Sequence, residues 1–208
     1  KIRIRRPVSV GLMMINVDGV ILAAGKSSRM GRANKVLANL GGRSLLEIAV
    51  EKMSPQVDSL VINGDPAVCG EQALADRIEG FQGPLMGLYT ALLSDQLSAA
   101  DYLMMVPCDG PFLPDNLVAK LHQQIVQADA DIACVRYQGF AQPTFSLWHK
   151  RALPDIEQAL LVEKNGGFKP LLQSLNAVYL DWPEQDPSPF FNINTPEDLA
   201  LAEKLLCP

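Results

Sequence analysis

Val17-Asp18-Gly19-Val20-Ile21-Leu22-Ala23-Ala24-Gly25-Lys26-Ser27-Ser28-Arg29-Met30-Gly31 is the stretch that decides the architecture. An apolar run from Val17 to Ala23 stops at Gly25 and passes directly into a polar loop. A short run of this kind marks a buried central strand, and such strands belong to parallel sheets covered by helices on both faces. In those sheets ligands lie beyond the carboxyl ends of the strands, near the point where strand order reverses. The loop offers what an anion there requires. Gly25 and Gly31 let backbone N–H groups approach closely, and Ser27 and Ser28 add donors. Arg29 can grip a phosphate through two N–H bonds, while Lys35 supplies a compact positive charge. Together these residues suit a triphosphate. The G-K-S at 25–27 is no P-loop, because Val20 stands where that motif needs glycine, and G-x-G-x-x-G does not occur.

Outward from this loop, strand-like and helix-like segments alternate, which predicts a three-layer α/β/α fold of Rossmann type with a mostly parallel mixed sheet. Ser44 and Glu47 form a capping box at the start of a helix. A second strand is expected over 57–63, then a short helix and an edge strand within 66–78. Leu85, Leu88, Ala91 and Leu92 recur at helical spacing after Gly83-Pro84. A buried strand over 102–106 halts at Pro107. A helix with Pro114 in its first turn runs to about residue 128. Strands at 131–135 and 143–148, helices at 152–161 and 169–175, and a strand at 177–181 follow. Thr195 caps a last helix with Pro196 at its first position and Asp198 three residues on.

Composition sets the limits. A chain of 208 residues with 48% hydrophobic and 20% charged content can bury one sizeable core, which excludes wholesale disorder. Residues 1–12 are expected to be a disordered extension and 13–208 a single domain. The net charge is −5 even though Lys1, Arg3, Arg5 and Arg6 crowd the start, so neither a nucleic-acid nor a membrane-surface binder is expected. No apolar stretch approaches the ~20 residues of a membrane-spanning helix. Cys69, Cys108, Cys134 and Cys207 are widely spaced, and His122 and His149 are the only histidines. That pattern implies buried reduced thiols in a cytoplasmic protein, with no zinc site.

A second chemical signal is Val106-Pro107-Cys108-Asp109-Gly110-Pro111-Phe112, again at the end of a buried strand. Asp-Gly is ordinary turn chemistry. A lone carboxylate facing a phosphate loop also suits Mg²⁺, which takes one or two protein carboxylates plus phosphate oxygens and waters. Beside the first loop, metal binding is the favoured reading of Asp109. Asn63, at a strand end, can terminate the strand or contact a base or ribose. Asn192 and Asn194 occupy alternate positions on an extended segment, so both amides face the same way. His122, His149, Trp148, Met104 and Met105 read as structural.

These stretches together resemble the bacterial molybdenum cofactor guanylyltransferases, the molybdopterin-guanine dinucleotide synthases of the nucleotidyltransferase superfamily. The matching segments are Leu22 to Gly25, Arg29-Met30-Gly31, Lys35, Val61-Ile62-Asn63, Gly83 to Gly87, Pro107 to Phe112, Gln142-Pro143-Thr144 and Phe191 to Leu199. The paired asparagines at 192 and 194 are the most telling, since related cytidylyltransferases usually carry aspartates there. The resemblance implies Mg²⁺-dependent transfer of GMP from GTP to the phosphate of molybdopterin, releasing pyrophosphate. It assigns GTP contacts to Leu22, Ala23, Ala24, Gly25, Lys35, Asn63, Asp76 and Asp109, with Asp109 also the Mg²⁺ ligand. It assigns the pterin side to Asn192 and Asn194, and turnover to Arg29, Lys35 and Asp109. Transient contact with the molybdenum-inserting enzyme and with molybdoenzyme chaperones is implied by the family alone. Two positions depart from the family pattern: Ala24 replaces a usual glycine, as in many cytidylyltransferases, and Asn34 replaces a frequent aspartate. A cytidylyltransferase of the same fold is therefore the alternative, with a catalytically silent nucleotide-binding adaptor as the competitor from another class.

Overall fold

The central strand is β1 (Val17–Leu22), whose residues from Val17 to Ile21 are all buried. It belongs to a computed structural model that describes residues 16–25, 35–78, 80 and 83–206. The expected extension at 1–12, Ser27, Ser28, Arg29, Gly31 and Cys207 all lie outside the described residues.

Five further strands complete the main sheet: β4 (Leu60–Asn63), β5 (Tyr102–Pro107), β6 (Ile132–Tyr137), β7 (Phe140–His149) and β8 (Ala177–Trp182). Between β1 and β4, β2 (Asn39–Leu40) and β3 (Arg43–Ser44) form a separate small hairpin. The main sheet runs β4-β1-β5-β7-β6-β8. The pairs β1–β4, β1–β5 and β6–β8 are parallel, and β7 is antiparallel to both neighbours. The sheet is thus mixed and mostly parallel, as expected.

Side-chain alternation along the strands builds the two other layers. Val17, Ile21, Met104 and Val106 face α1 (Leu45–Met53) and α4 (Leu117–Gln127) on one side. Val20, Leu103, Met105 and Trp148 face α3 (Pro84–Leu92), α5 (Leu153–Glu157) and α6 (Lys169–Ser174) on the other. The remaining helices are α2 (Pro66–Cys69) and α7 (Pro196–Leu206). Ala202 of α7 joins Leu40, Leu45, Ile48 and Ile193 in a smaller apolar cluster. The Ser44–Glu47 capping box forms as expected at the start of α1. No helix among the described residues is long and apolar enough to cross a membrane.

Three local expectations need correction. The strand expected from residue 57 begins at Leu60, because Ser54–Gln56 continues the chain as a 3₁₀ turn after α1. The helix expected from Pro114 begins at Leu117; Pro114 sits in the preceding turn, where its carbonyl accepts from the Leu117 N–H at 3.3 Å and from Gln56 Nε2 at 3.0 Å. Strands expected at 131–135 and 143–148 are longer and form one hairpin, turning through Gln138 and Gly139 with φ of 49° and 80°. Both positive values belong to the tight turn that matches strand twist. Pro143 reads as a strand start because it cannot donate to a ladder. It instead lies where the β6–β7 register slips, between Cys134 paired with Ser146 and Val135 paired with Gln142. A bulge is where a missing N–H costs least.

Candidate active site

β1 lies between β4 and β5, so strand order reverses at its edges and the crevice beyond its carboxyl end is the place for a ligand. Leu22 pairs with Asn63 on one side and Pro107 on the other. The lacing continues one residue further: Ala23 N–H donates to the Asn63 carbonyl at 2.7 Å, and Cys108 N–H to the Leu22 carbonyl at 3.0 Å. Parallel pairing therefore delivers the loop after Leu22, the Asn63 side chain and Asp109 to one rim. Ala23 is buried there, while Ala24 and Gly25 are exposed. A Cβ on Gly25 would meet nothing within 4 Å, so its backbone borders open space.

Lys35 opens the 3₁₀ turn Lys35–Leu37 and reaches across this rim. Its ammonium forms an ion pair with Asp109 Oδ2 and donates to Asn194 Oδ1 at 2.7 Å. The two charged side chains are only 15% and 17% exposed, which limits screening of the pair by water. The other carboxylate oxygen, Asp109 Oδ1, is buried without a hydrogen-bond partner among the described residues, as is Asn192 Oδ1. Ile193 explains how both asparagines arrive. Its side chain is fully buried, and its N–H donates to the Asp109 carbonyl at 2.9 Å. Gly110 lets this segment close: a Cβ there would lie 3.0 Å from Phe145 Cζ and 3.5 Å from Asn192 Oδ1.

At the end of β4, Asn63 is buried, and its amide nitrogen donates to the Leu74 carbonyl at 3.0 Å and to Asp76 Oδ1 at 2.9 Å. Leu74 bridges to Asn63 in parallel and ties residues 73–76 to the sheet edge. Asp76, separated from Asn63 by an irregular segment, thus stands beside it. α3 presses on this pair from one face. A Cβ on Gly87 would lie 2.3 Å from Asn63 Oδ1 and 2.6 Å from Leu22 Cδ2, so only glycine lets the helix approach this closely.

Lys35, Asp109, Asn192 and Asn194 therefore form one group, Asn63 and Asp76 a second, and the end of β1 lies between them. Arg29 is outside the described residues. Two further residues border these groups without a sequence signal that marks them. Gly87 carried no visible signal beyond its place in the matching segment. The sequence marks Asp198 only as a helix-cap residue, yet its Oδ2 accepts from the N–H groups of Asn194 and Thr195, each at 2.9 Å. Those bonds hold its carboxyl below the usual range, and the Lys35 ammonium adds a smaller pull in the same direction.

Burial, reinforced by the Asp109 charge, pushes the Cys108 thiol up to about 12, so it is no nucleophile at neutral pH. His122 and His149 pack edge-on against Tyr102 at the amino end of β5, away from Asp109, and His149 Nδ1 accepts from the Arg151 N–H at 3.1 Å. No cluster of three or more His, Cys, Asp or Glu suited to a metal occurs among the described residues. The available donors are hard oxygens, a carboxylate with an unsatisfied atom beside amides. This set fits Mg²⁺ provided substrate phosphates complete the shell.

Residues 19–178 match the family model described as the MobA-like NTP transferase domain. The chain belongs to this family. A molybdenum cofactor guanylyltransferase of Rhodopseudomonas palustris (strain BisB5) is 38% identical over 195 residues, spanning 89% of this chain and 92% of that protein. A molybdenum cofactor guanylyltransferase of Vibrio cholerae is 36% identical over 185 residues, spanning 87% and 88%. The crystal structure of molybdopterin-guanine dinucleotide biosynthesis protein A from Archaeoglobus fulgidus has the same fold. It aligns with a TM-score of 0.76 at 23% identity, covering 91% of this chain and 98% of that one. The fold expected from the alternation of elements is thus the fold of the MobA-like family.

Proposed function

We propose that this MobA-like chain transfers GMP from GTP to the phosphate of molybdopterin, forming molybdopterin guanine dinucleotide and releasing pyrophosphate. Its relatives at 36–38% identity bear the name of that activity. The observation that carries the proposal is the Lys35–Asp109 ion pair at the end of β1, a cation and a metal-competent carboxylate sharing one crevice.

The acceptor phosphate attacks the α-phosphorus in line, and pyrophosphate leaves from the opposite side. Charge gathers on the non-bridging oxygens and on the leaving group. Lys35 faces that charge with its ammonium, and the exposed backbone after Leu22 offers N–H groups to the phosphates. Asp109, through its unpartnered Oδ1, would hold Mg²⁺, which supplies Lewis-acid stabilisation of the phosphoryl oxygens when bound. Asn63 and Asp76 form the nucleoside side with Leu22, Ala23, Ala24 and Gly25, and Asn192 and Asn194 the pterin side. Arg29, outside the described residues, is the third proposed catalytic residue with Lys35 and Asp109. No general base is required, because a phosphate monoester, with a second pKa of about 6, is already largely ionised at neutral pH. The absence of a histidine from the described site is consistent with this chemistry.

Pyrophosphate release from GTP, Mg²⁺ and molybdopterin tests the reaction. Robust release with GTP and little with CTP is expected; preference for CTP would make the chain a cytidylyltransferase, and release with neither would make it a silent nucleotide binder. The unpaired thiols Cys69, Cys108 and Cys134 support a cytoplasmic setting, where the molybdenum-inserting enzyme and molybdoenzyme chaperones are the proposed transient partners.

A further inference from the structure

We propose that Asp198 is a positioning residue for this reaction: its carboxylate clamps the backbone of Asn194 so that the Asn194 amide oxygen holds the Lys35 ammonium at the strand-end crevice. The inference rests on the guanylyl-transfer reading for its kinetic test and on geometry alone for its structural one.

The segment entering α7 is pinned from two sides. Upstream, Ile193 is anchored by full burial and by its N–H bond to the Asp109 carbonyl. Downstream, Thr195 Oγ1 accepts from the Asp198 N–H at 3.1 Å, while Asp198 Oδ2 returns a bond to the Thr195 N–H at 2.9 Å. That reciprocal pair is a capping box, and a helix needs nothing more from it. Asp198 does more. The same Oδ2 also takes the Asn194 N–H at 2.9 Å, one residue outside the box. This extra bond fixes the peptide that carries the exposed Asn194 side chain, whose Oδ1 accepts from Lys35 Nζ at 2.7 Å. An exposed amide on a loop would otherwise sample several rotamers. A fixed backbone on both sides reduces that freedom and keeps one oxygen in line with the ammonium. Asp198 touches none of the proposed reacting atoms, so its effect passes through Asn194 and, as a nearby negative charge, through the field at Lys35.

The test separates positioning from capping in the full-length protein. Thr195→Ala breaks the reciprocal arm of the box but leaves the Asn194 N–H bond available. It is expected to lower the melting temperature about as much as Asp198→Ala while keeping kcat within about twofold. Asp198→Ala is expected to lower kcat about tenfold with the KM for GTP changed less than twofold, the pattern of a lost transition-state arrangement. Asp198→Asn keeps an acceptor oxygen and should recover most of the rate. Asn194→Ala, which also removes a proposed pterin contact, should be at least as slow as Asp198→Ala, and the double variant should be no slower than Asn194→Ala alone, because both changes remove one relay. Equal rates for Thr195→Ala and Asp198→Ala, or single effects that multiply in the double variant, would overturn the role. A crystal structure of Asp198→Ala decides independently of turnover. The Asn194–Lys35 contact is expected to be lost with α7 intact, and its persistence would overturn the proposal. Failure of the wild type to release pyrophosphate would instead remove the function proposed above, leaving the crystallographic arm to decide the clamp.

Discussion

Lys35 and Asp109 stand 74 positions apart in the chain and meet as an ion pair at the carboxyl end of the central strand. The pair exists because β5 lies directly beside β1 in parallel register, Leu22 opposite Pro107, which carries Asp109 to the rim that Lys35 overhangs. Removing either charge should cost the reaction a single electrostatic contact of the kind worth ~10²-fold in rate. Lys35→Ala and Asp109→Asn are each expected to lower pyrophosphate release by about that factor or more. Near-normal rates in both would refute their assignment.

The proposed Mg²⁺ site makes a prediction about metal dependence. Asp109 forms an ion pair with Lys35 through Oδ2, and its buried Oδ1 has no hydrogen-bond partner among the described residues. One carboxylate binds Mg²⁺ weakly without phosphate oxygens to complete the shell. Chelation should therefore abolish turnover, and added Mg²⁺ should restore it. Calorimetry should show Mg²⁺ binding much more tightly with GTP present than without; equal affinity in both conditions would contradict a shared shell.

Gly87 makes a steric prediction at the proposed nucleoside side. Gly87→Ala would place its Cβ 2.3 Å from Asn63 Oδ1 and 2.6 Å from Leu22 Cδ2. Overpacking at a buried helix–sheet contact costs about 1–3 kcal/mol, so the denaturant midpoint should fall accordingly. GTP affinity should fall with it, because the displaced atom belongs to Asn63. Unchanged stability and unchanged affinity together would show that α3 tolerates the methyl group.

The opposite end of β1 makes a contrasting prediction. Asp18 is fully buried and pairs with Lys150 Nζ at 3.0 Å, with Ser98 Oγ donating at 2.7 Å. Lys150→Met strips the countercharge from a buried carboxylate while leaving the serine bond, and about 2 kcal/mol of stability should be lost. Activity per folded molecule should not change, since Asp18 is the second residue of β1 and the strand runs on to Leu22 before the proposed site begins. A reduced kcat in the folded variant would contradict this separation.

The thiols of Cys108 and Cys134 should be quiet in the native state. Burial raises Cys108 and Cys134 to about 12 each, so at pH 8 both remain almost wholly protonated, and only the thiolate reacts. Alkylation of these two cysteines should be slow in the native protein and fast after denaturation. Rapid native labelling of Cys108 would show that the crevice floor opens.

Much of this molecule was legible along the chain, and for local reasons. An apolar run ending at glycine, helical apolar spacing after Pro84, and Ser44–Glu47 and Thr195–Asp198 box patterns each report structure through bonds within a few residues. Sequence reading failed where the deciding contact was distant. Gln138-Gly139 lacks the usual asparagine of a tight hairpin, and Pro143 is admitted to β7 only because a bulge forms opposite β6. The start of α4 is set by the bonds that Pro114 makes with Leu117 and with Gln56 of another element.

The same division runs through the site. By itself the sequence determined which chemical groups are present at strand ends: a glycine-bearing loop, Lys35, an Asp-Gly after β5 and two asparagines at alternate positions. Only the tertiary structure decided that Lys35 rests on Asp109 and Asn194, that Asp76 stands beside Asn63, and that Asp198 reaches past its own cap to Asn194. The physical reason is range. Strand and cap signals are satisfied by neighbouring residues, whereas a charge pair across a crevice depends on which strands lie side by side, and that order is set by burying both faces of the sheet at once.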